Sequence, residues 1–252
     1  MKPGWFALAL PTLAMACERP VYLSFDTGHM GVAEQIVATL DRHQVPATFF
    51  LAAEPTLDGG HSLDAQWAPF WRRLAAQGRH DFGSHTWAHD VWVADRADGS
   101  MRFRTQAGRQ APRFRNLTAA QYCAELRRVD THFKSITGRA LDPLFRAPAG
   151  KTSTRLLAAA QACGYRHVGW TPAGFLGDEL PSDKVSNATL LQRALATIRA
   201  GDILVAHLGI WNRAEPWAPA VLEPLILGLK AKGLCFARLR AHPDYAQAWT
   251  AP

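Results

Sequence analysis

No uninterrupted apolar stretch reaches the roughly 18 to 20 residues that a membrane-spanning helix needs, which excludes a bilayer-crossing helix of ordinary length. No C-x-x-C pair occurs among the four cysteines, Cys17, Cys123, Cys163 and Cys235, so the spacing of a structural zinc knuckle is absent. Nor does a glycine-, serine- or proline-rich linker divide the chain. No nucleic-acid-binding motif stands out either, although 252 residues carry a net charge of +7. That charge suits an acidic envelope polymer or a phospholipid surface, and equally an ordinary basic protein. Four cysteines allow three pairings between which spacing does not choose, and buried free thiols are the simpler expectation.

The N-terminus carries a distinct signal. Lys2 provides a positive start, Trp5 to Leu13 is a short apolar run broken only by Pro11, and Ala14-Met15-Ala16 is an A-x-A cleavage pattern. Residues 1–16 read as a secretory signal peptide and 17–252 as one domain, exported to a periplasmic or extracellular compartment that permits disulfides. A lipid anchor at Cys17 is disfavoured, because Ala14-Met15-Ala16 lacks the leucine usual three residues before a lipidated cysteine.

From residue 20 onward, buried strands alternate with amphipathic helices. Val21–Phe25 is a strand, Gly31–Arg42 a helix and Val45–Leu51 a second strand, which together make the β-α-β unit of a parallel sheet. The alternation resumes through a helix at Ala68–Gln77, a strand running into His85, and a long helix with Thr118 and Gln121 as its capping box. Strands before Arg146, at Tyr165–Trp170, before His207 and at Leu234–Leu239 follow, with helices at Ser153–Cys163, Ala188–Arg199 and Ala220–Lys232 between them. Residues 90 to about 117 break the rhythm. They hold Arg96, Arg102, Arg104, Arg109, Arg113 and Arg115 and read as a long basic loop, either solvated or a rim facing an anionic substrate. An α/β fold built on a parallel barrel is the economical expectation.

In a parallel barrel all strand C-termini share one face, so the strand-end residues Asp26, His85, Arg146 and His207 are expected to converge. His85 and His89 stand four residues apart, a spacing that can serve one metal ion or mark two packing histidines beside Trp87. Arg146 beside Asp26 would keep that carboxylate charged and aimed.

Four segments in this order, Ser24-Phe25-Asp26-Thr27-Gly28, His85-Thr86-Trp87-Ala88-His89, Phe145-Arg146-Ala147-Pro148-Ala149-Gly150 and Ile203-Leu204-Val205-Ala206-His207, resemble the motifs of the polysaccharide deacetylase (NodB homology) family. The resemblance spans about residues 20 to 240 and implies a distorted (β/α) barrel of about seven parallel strands. It implies Asp26 as general base, His207 as general acid, Arg146 as the residue orienting Asp26, and His85 and His89 as ligands of a divalent metal, whether zinc, cobalt or nickel. Trp170, Pro148 and Leu204 would border the substrate, and Asp178 is a candidate partner of His207.

The implied activity is that of an exported hydrolase removing N-acetyl groups, with O-acetyl groups as the variant, from a cell-envelope polysaccharide or oligosaccharide. Deformylation, cyclic-amide hydrolysis and carbohydrate binding without turnover are the alternatives. An acetylated saccharide is the implied partner, with no nucleic acid, no membrane span and no particular oligomeric state. One departure stands out: the family's metal-binding Asp is Thr27 here, a poorer ligand than a carboxylate. Three possibilities follow: the two histidines with extra waters, a substitute such as His29 or Asp81, or a metal-free site.

Overall fold

The structure, a computed structural model, describes residues 17–105 and 113–249; residues 1–16, read above as a signal peptide, and Arg109 lie outside the described residues. In chain order the elements are β1 (Pro20–Asp26), α1 (Ala33–His43), β2 (Thr48–Leu51), α2 (Ala68–Ala76), β3 (Asp81–Ser84), β4 (Val91–Asp95), β5 (Met101–Arg104), β6 (Phe114–Leu117), α3 (Ala119–Thr137), β7 (Leu144–Phe145), α4 (Thr154–Ala162), β8 (Arg166–His167), α5 (Asn187–Thr197), β9 (Ile203–His207), α6 (Leu222–Ala231) and β10 (Cys235–Phe236). Short 3-10 turns occupy several connections.

Seven strands form one parallel sheet in the order β10-β1-β2-β3-β7-β8, with β9 also paired to β1. The sheet curls into the distorted barrel that the alternation predicts. β1 is its axis because Val21 to Phe25 are buried almost completely and leave no residue to face solvent. Helices cover the outside by their apolar stripes; α1 buries Ile36, Val37 and Leu40, and α3 buries Leu126, Val129 and Phe133. The rings of Phe25, Phe49, Phe82 and Phe133 stack in sequence from sheet to helix, with centroids 4.9 to 5.9 Å apart. The Thr118–Gln121 capping box forms as predicted and starts α3, which ends at Gly138.

The barrel is distorted because β8 and β9 share no ladder. The segment after β8 bridges them instead: Thr171 N–H donates to the Ile203 carbonyl at 3.2 Å and Leu176 N–H to that of Val205 at 3.3 Å. The predicted strand Tyr165–Trp170 is accordingly shorter and pairs only at Arg166 and His167. The next two carbonyls, of Val168 and Gly169, accept from the Arg146 guanidinium and are not available to a neighbouring strand.

Two further expectations are corrected. Residues 90–117 are not a long loop, because β4, β5 and β6 form a three-stranded antiparallel sheet there. Its signal is the alternation Met101-Arg102-Phe103-Arg104, in which Met101 and Phe103 are buried beside Tyr122 and Leu126 while the arginines point outward. Arg102 lies over the Phe114 ring at 4.1 Å, and Arg115 pairs with Asp90 and Glu125, so both cations are engaged within the sheet and its margin.

The cysteines are not free thiols. Cys17 pairs with Cys235 and Cys123 with Cys163, across Cα separations of 5.8 and 6.0 Å. The first bond ties the chain just ahead of β1 to β10, and a thiol so paired has no sulfur for a lipid. No helix among the described residues is long and apolar enough to cross a membrane.

The Cys17–Cys235 bond closes a separation of 218 residues. Replacing both with serine is expected to lower stability by about 2–4 kcal/mol in urea unfolding; an unchanged midpoint would show that this bond contributes nothing.

Candidate active site

Strand register delivers the first pair of functional groups. Asp26 and His207 end β1 and β9 and are direct partners in the ladder. The turns that follow them pack too closely for side chains: a Cβ on Gly28 would lie 2.0 Å from the Gly209 carbonyl oxygen. His85 follows β3 and donates its N–H to the Leu51 carbonyl at 2.7 Å, and Arg146 follows β7 with its N–H on the Ser84 carbonyl at 2.9 Å. All four predicted strand-end residues therefore meet at one end of the barrel. Thr86, His89 and Ala149, in the turns that carry them, hold φ values of 62°, 53° and 55°, a conformation costly for residues with a Cβ and most unusual for the β-branched Thr86.

Arg146 is fully buried, and each of its three guanidinium nitrogens donates a hydrogen bond. Its Nη1 donates to Asp26 Oδ1 at 2.8 Å, its Nε to the Val168 carbonyl at 3.1 Å and its Nη2 to the Gly169 carbonyl at 3.2 Å, while the guanidinium lies 4.3 Å from the centre of the Phe50 ring. Asp26 is 3 % exposed, and burial alone would push its carboxyl up. Arg146, then His85 and His207, overcome that effect and hold Asp26 below the usual carboxylate range. His207 shows the converse balance. Burial disfavours its charged form, but both oxygens of Asp178 lie 3.1 Å from Nδ1 and the pKa is pushed up to about 9. Asp178 also accepts the His207 backbone N–H at 2.7 Å, which fixes the carboxylate against the imidazole.

His85 and His89 face each other across 3.2 Å between their Nε2 atoms. His85 Nδ1 lies 2.8 Å from the Arg146 carbonyl, an acceptor that makes Nδ1 the protonated nitrogen and leaves Nε2 a lone pair. Burial pushes the His85 pKa down to about 4, so the ring is neutral. Two imidazoles on one tetrahedral cation, with metal–nitrogen distances of about 2.0–2.1 Å, would place their nitrogens roughly 3.3 Å apart. The histidine pair thus fits such a cation. A full protein donor set does not assemble: among the described residues no group of three or more His, Cys, Asp or Glu side chains is placed to hold a metal ion.

Neither substitute ligand suggested by the sequence is at this point. Asp81 opens β3, four residues and roughly 13 Å along an extended strand from His85, where Arg238 and Arg240 bind it. His29 spends Nδ1 on the Gly31 N–H and sets its ring against Trp211, lining a side pocket beyond His207. Thr27 is buried, with its hydroxyl committed: it accepts the Ala52 N–H at 3.0 Å and donates to Glu54 Oε2 at 2.6 Å. Glu54, absent from the sequence-based set, stands three residues past β2 and brings Oε1 within 3.6 Å of His89 Nδ1. Its signal in the sequence is the one used for the other site residues, an acid just beyond a buried strand.

These groups open into a groove of about 710 Å³, within the range of small-molecule sites. Trp170 lines it, but two other placements need correction. Leu204 is fully buried in the core, because alternation along β9 gives the groove position to Val205. Pro148 is buried within its 3-10 turn, and the lining residue there is Ala149. Trp211, 61 % exposed, is a further groove aromatic that the sequence reading missed. Arg146→Met, which strands the Asp26 carboxylate, is expected to cost about 3–5 kcal/mol in urea unfolding; wild-type stability would show that the ion pair does not organise the site.

A chitooligosaccharide deacetylase of Azorhizobium caulinodans is 28% identical over 233 residues, covering 87% of this chain and 92% of the relative. A chitin deacetylase of Pestalotiopsis sp is 27% identical over 226 residues, 88% of this chain and 64% of that protein. Among solved structures, the Xyl-CE4 domain of a multidomain xylanase from the hindgut metagenome of Trinervitermes trinervoides shares the fold with a TM-score of 0.66 at 19% identity, over 91% of both chains. A family 4 acetyl xylan esterase from Clostridium thermocellum, determined with a cobalt ion, superposes with a TM-score of 0.64 at 21% identity over 87% of both. A CE4 family pseudoenzyme from Bacillus anthracis is as similar in fold, with a TM-score of 0.64 at 16% identity over 89% of this chain and 65% of its own. Residues 15–168 match the polysaccharide deacetylase family profile, and the chain belongs to that family.

Proposed function

We propose that this protein is an exported hydrolase that removes acetyl groups from N-acetylated oligosaccharides or polysaccharides of the cell envelope. One observation carries the proposal. Asp26 and His207, partners on adjacent strands at the groove floor, each bond a residue of opposite charge: Arg146 favours the ionised Asp26 carboxylate and Asp178 the protonated His207 imidazole. Environments that push two titratable groups apart in this way separate a base from an acid.

Asp26 Oδ2, the oxygen not held by Arg146 Nη1, takes a proton from the water that attacks the acetyl carbonyl carbon. His207 gives its proton to the amine nitrogen as the carbon–nitrogen bond breaks. Acetate and a free amine leave, and Asp26 and His207 exchange their proton balance with solvent before the next turnover. Arg146 keeps Asp26 ionised and oriented, and Asp178 keeps the departing proton on His207. His85 and His89 would hold a divalent cation, which when bound supplies polarisation of the acyl carbonyl and a lowered pKa for water.

Trp170 and Trp211 offer apolar faces on which a sugar ring can lie, and the A. caulinodans and Pestalotiopsis relatives name chitin-type substrates. Export rests on the sequence of residues 1–16 and on two disulfides of the kind that persist in oxidising compartments. The fold alone carries no activity, as the pseudoenzyme relative illustrates; it is the paired acid and base that favour turnover over binding.

Acetate release from chitooligosaccharides, peptidoglycan fragments and acetylated xylan tests the proposal. The wild type with added zinc, cobalt or nickel is expected to release acetate, and Asp26→Asn to lower kcat by about 10²–10⁴. No release from any of these substrates would overturn it. The acid gives the pH dependence. His207 must enter protonated, so kcat/KM is expected to fall as pH rises through about 9. Asp178→Asn removes the carboxylate that raises this pKa, and its alkaline limb is expected to move to lower pH; an unmoved limb would show that the titrating group is not His207.

A further inference from the structure

One arginine of the basic segment 90–117 reaches toward the groove. The turn that carries His85 and His89 holds Thr86 and His89 in the left-handed region, a conformation that persists only where the surroundings fix it. Its backbone is held by hydrogen bonds: Thr86 N–H donates to Ser84 Oγ at 3.3 Å, Ala88 N–H to Glu125 Oε2 at 3.0 Å, and the Trp87 carbonyl accepts the Ala53 N–H at 2.9 Å. Glu125 belongs to α3, so the Ala88 bond ties the turn to that helix.

Arg115 of β6 joins the two acids at this turn. Its Nε donates to Asp90, the residue after His89, and its Nη2 lies 3.1 Å from Glu125 Oε1. Asp90 is buried, and loss of Arg115 would leave two neighbouring carboxylates without the cation that joins them. The connection from sheet to site is continuous: Arg115 holds Glu125, Glu125 holds the Ala88 N–H, and Ala88 adjoins His89, which lines the groove with His85.

We propose that Arg115 is a positioning residue for the His85–His89 turn and that the β4–β6 sheet is the buttress from which it acts. Arg115 sets where His89 stands in the groove by fixing both Asp90 and Glu125. The proposal rests on the reading of the histidine pair as part of the hydrolytic site, and on no particular tautomer or bound ion.

The test compares variants of the full chain by urea unfolding, by the histidine 15N signals and by acetate release from chitooligosaccharides. Arg115→Met combined with Asp90→Asn removes the clamp without stranding a buried carboxylate, and Glu125→Ala removes the acceptor of the Ala88 N–H. Each is expected to move the His85 and His89 signals, to leave those of His207 in place, and to lower kcat about 10- to 100-fold with KM little changed. Arg102→Met, on the outward face of the same sheet, is expected to change neither signals nor kcat. If the double variant does not fold, Glu125→Ala decides by the same readouts. Wild-type His85 and His89 signals would overturn the proposal, as would moved signals with wild-type kcat. Movement of His207 as large as that of His89 would overturn it by making the clamp a general structural feature, and a rise in KM shared with Arg102→Met by making the sheet a substrate rim. If the wild type releases no acetate, the signals decide alone: movement confined to His85 and His89 leaves the clamp standing and overturns the hydrolase assignment.

Discussion

A guanidinium with no exposure to water must have a partner for its charge and for its N–H groups, and Arg146 obtains both from the part of the barrel where regular pairing stops. The Val168 and Gly169 carbonyls that would continue β8 turn to the guanidinium, and Asp26 at the end of β1 supplies the negative charge. The gap between β8 and β9, the abrupt end of β8 and the fixed direction of the Asp26 carboxylate share this cause. Replacing the ion pair with apolar residues would simplify the packing. Keeping it provides a carboxylate that stays ionised although it is buried.

The same logic sets the charge of His207. His207 lies beside Asp26 in the ladder, and proximity alone would let the two share a proton. Asp178 prevents this by holding Nδ1 and the backbone N–H of His207, so the proton stays on the imidazole. Two carboxylates of similar burial thus have different tasks: one is kept free of a proton by an arginine, and the other keeps a proton on its neighbour. His85 links this pair to His89, with Nδ1 on the Arg146 carbonyl and Nε2 3.6 Å from Asp26 Oδ2 and 3.2 Å from His89 Nε2.

What could be read from the sequence followed from periodicity. Asp26, His85, Arg146 and His207 were legible because each directly ends or follows a buried strand, and parallel pairing forces those ends to one face. The α3 start was legible because a capping box is local chemistry. Glu54 was harder to see, since it is three residues beyond β2 and its bond to the Thr27 hydroxyl spans 27 positions. Period-2 alternation explains two other differences: it places Val205, not Leu204, on the groove, and it makes a sheet of Met101–Arg104, where the arginines suggested a loop. The disulfides escaped detection because pairing across 218 and 40 positions depends on the closed fold.

The charge states of Asp26 and His207 are the point on which the proposed hydrolysis turns. They can be observed without substrate by recording the 15N signals of His207 and the carboxyl 13C signal of Asp26 in the full chain between pH 4 and 10. A doubly protonated His207 imidazole is expected through neutral pH, with deprotonation near 9, and an Asp26 carboxyl that is ionised at neutral pH and titrates below the usual carboxylate range. A His207 ring that is neutral at pH 7, or an Asp26 that still carries a proton there, would contradict that expectation.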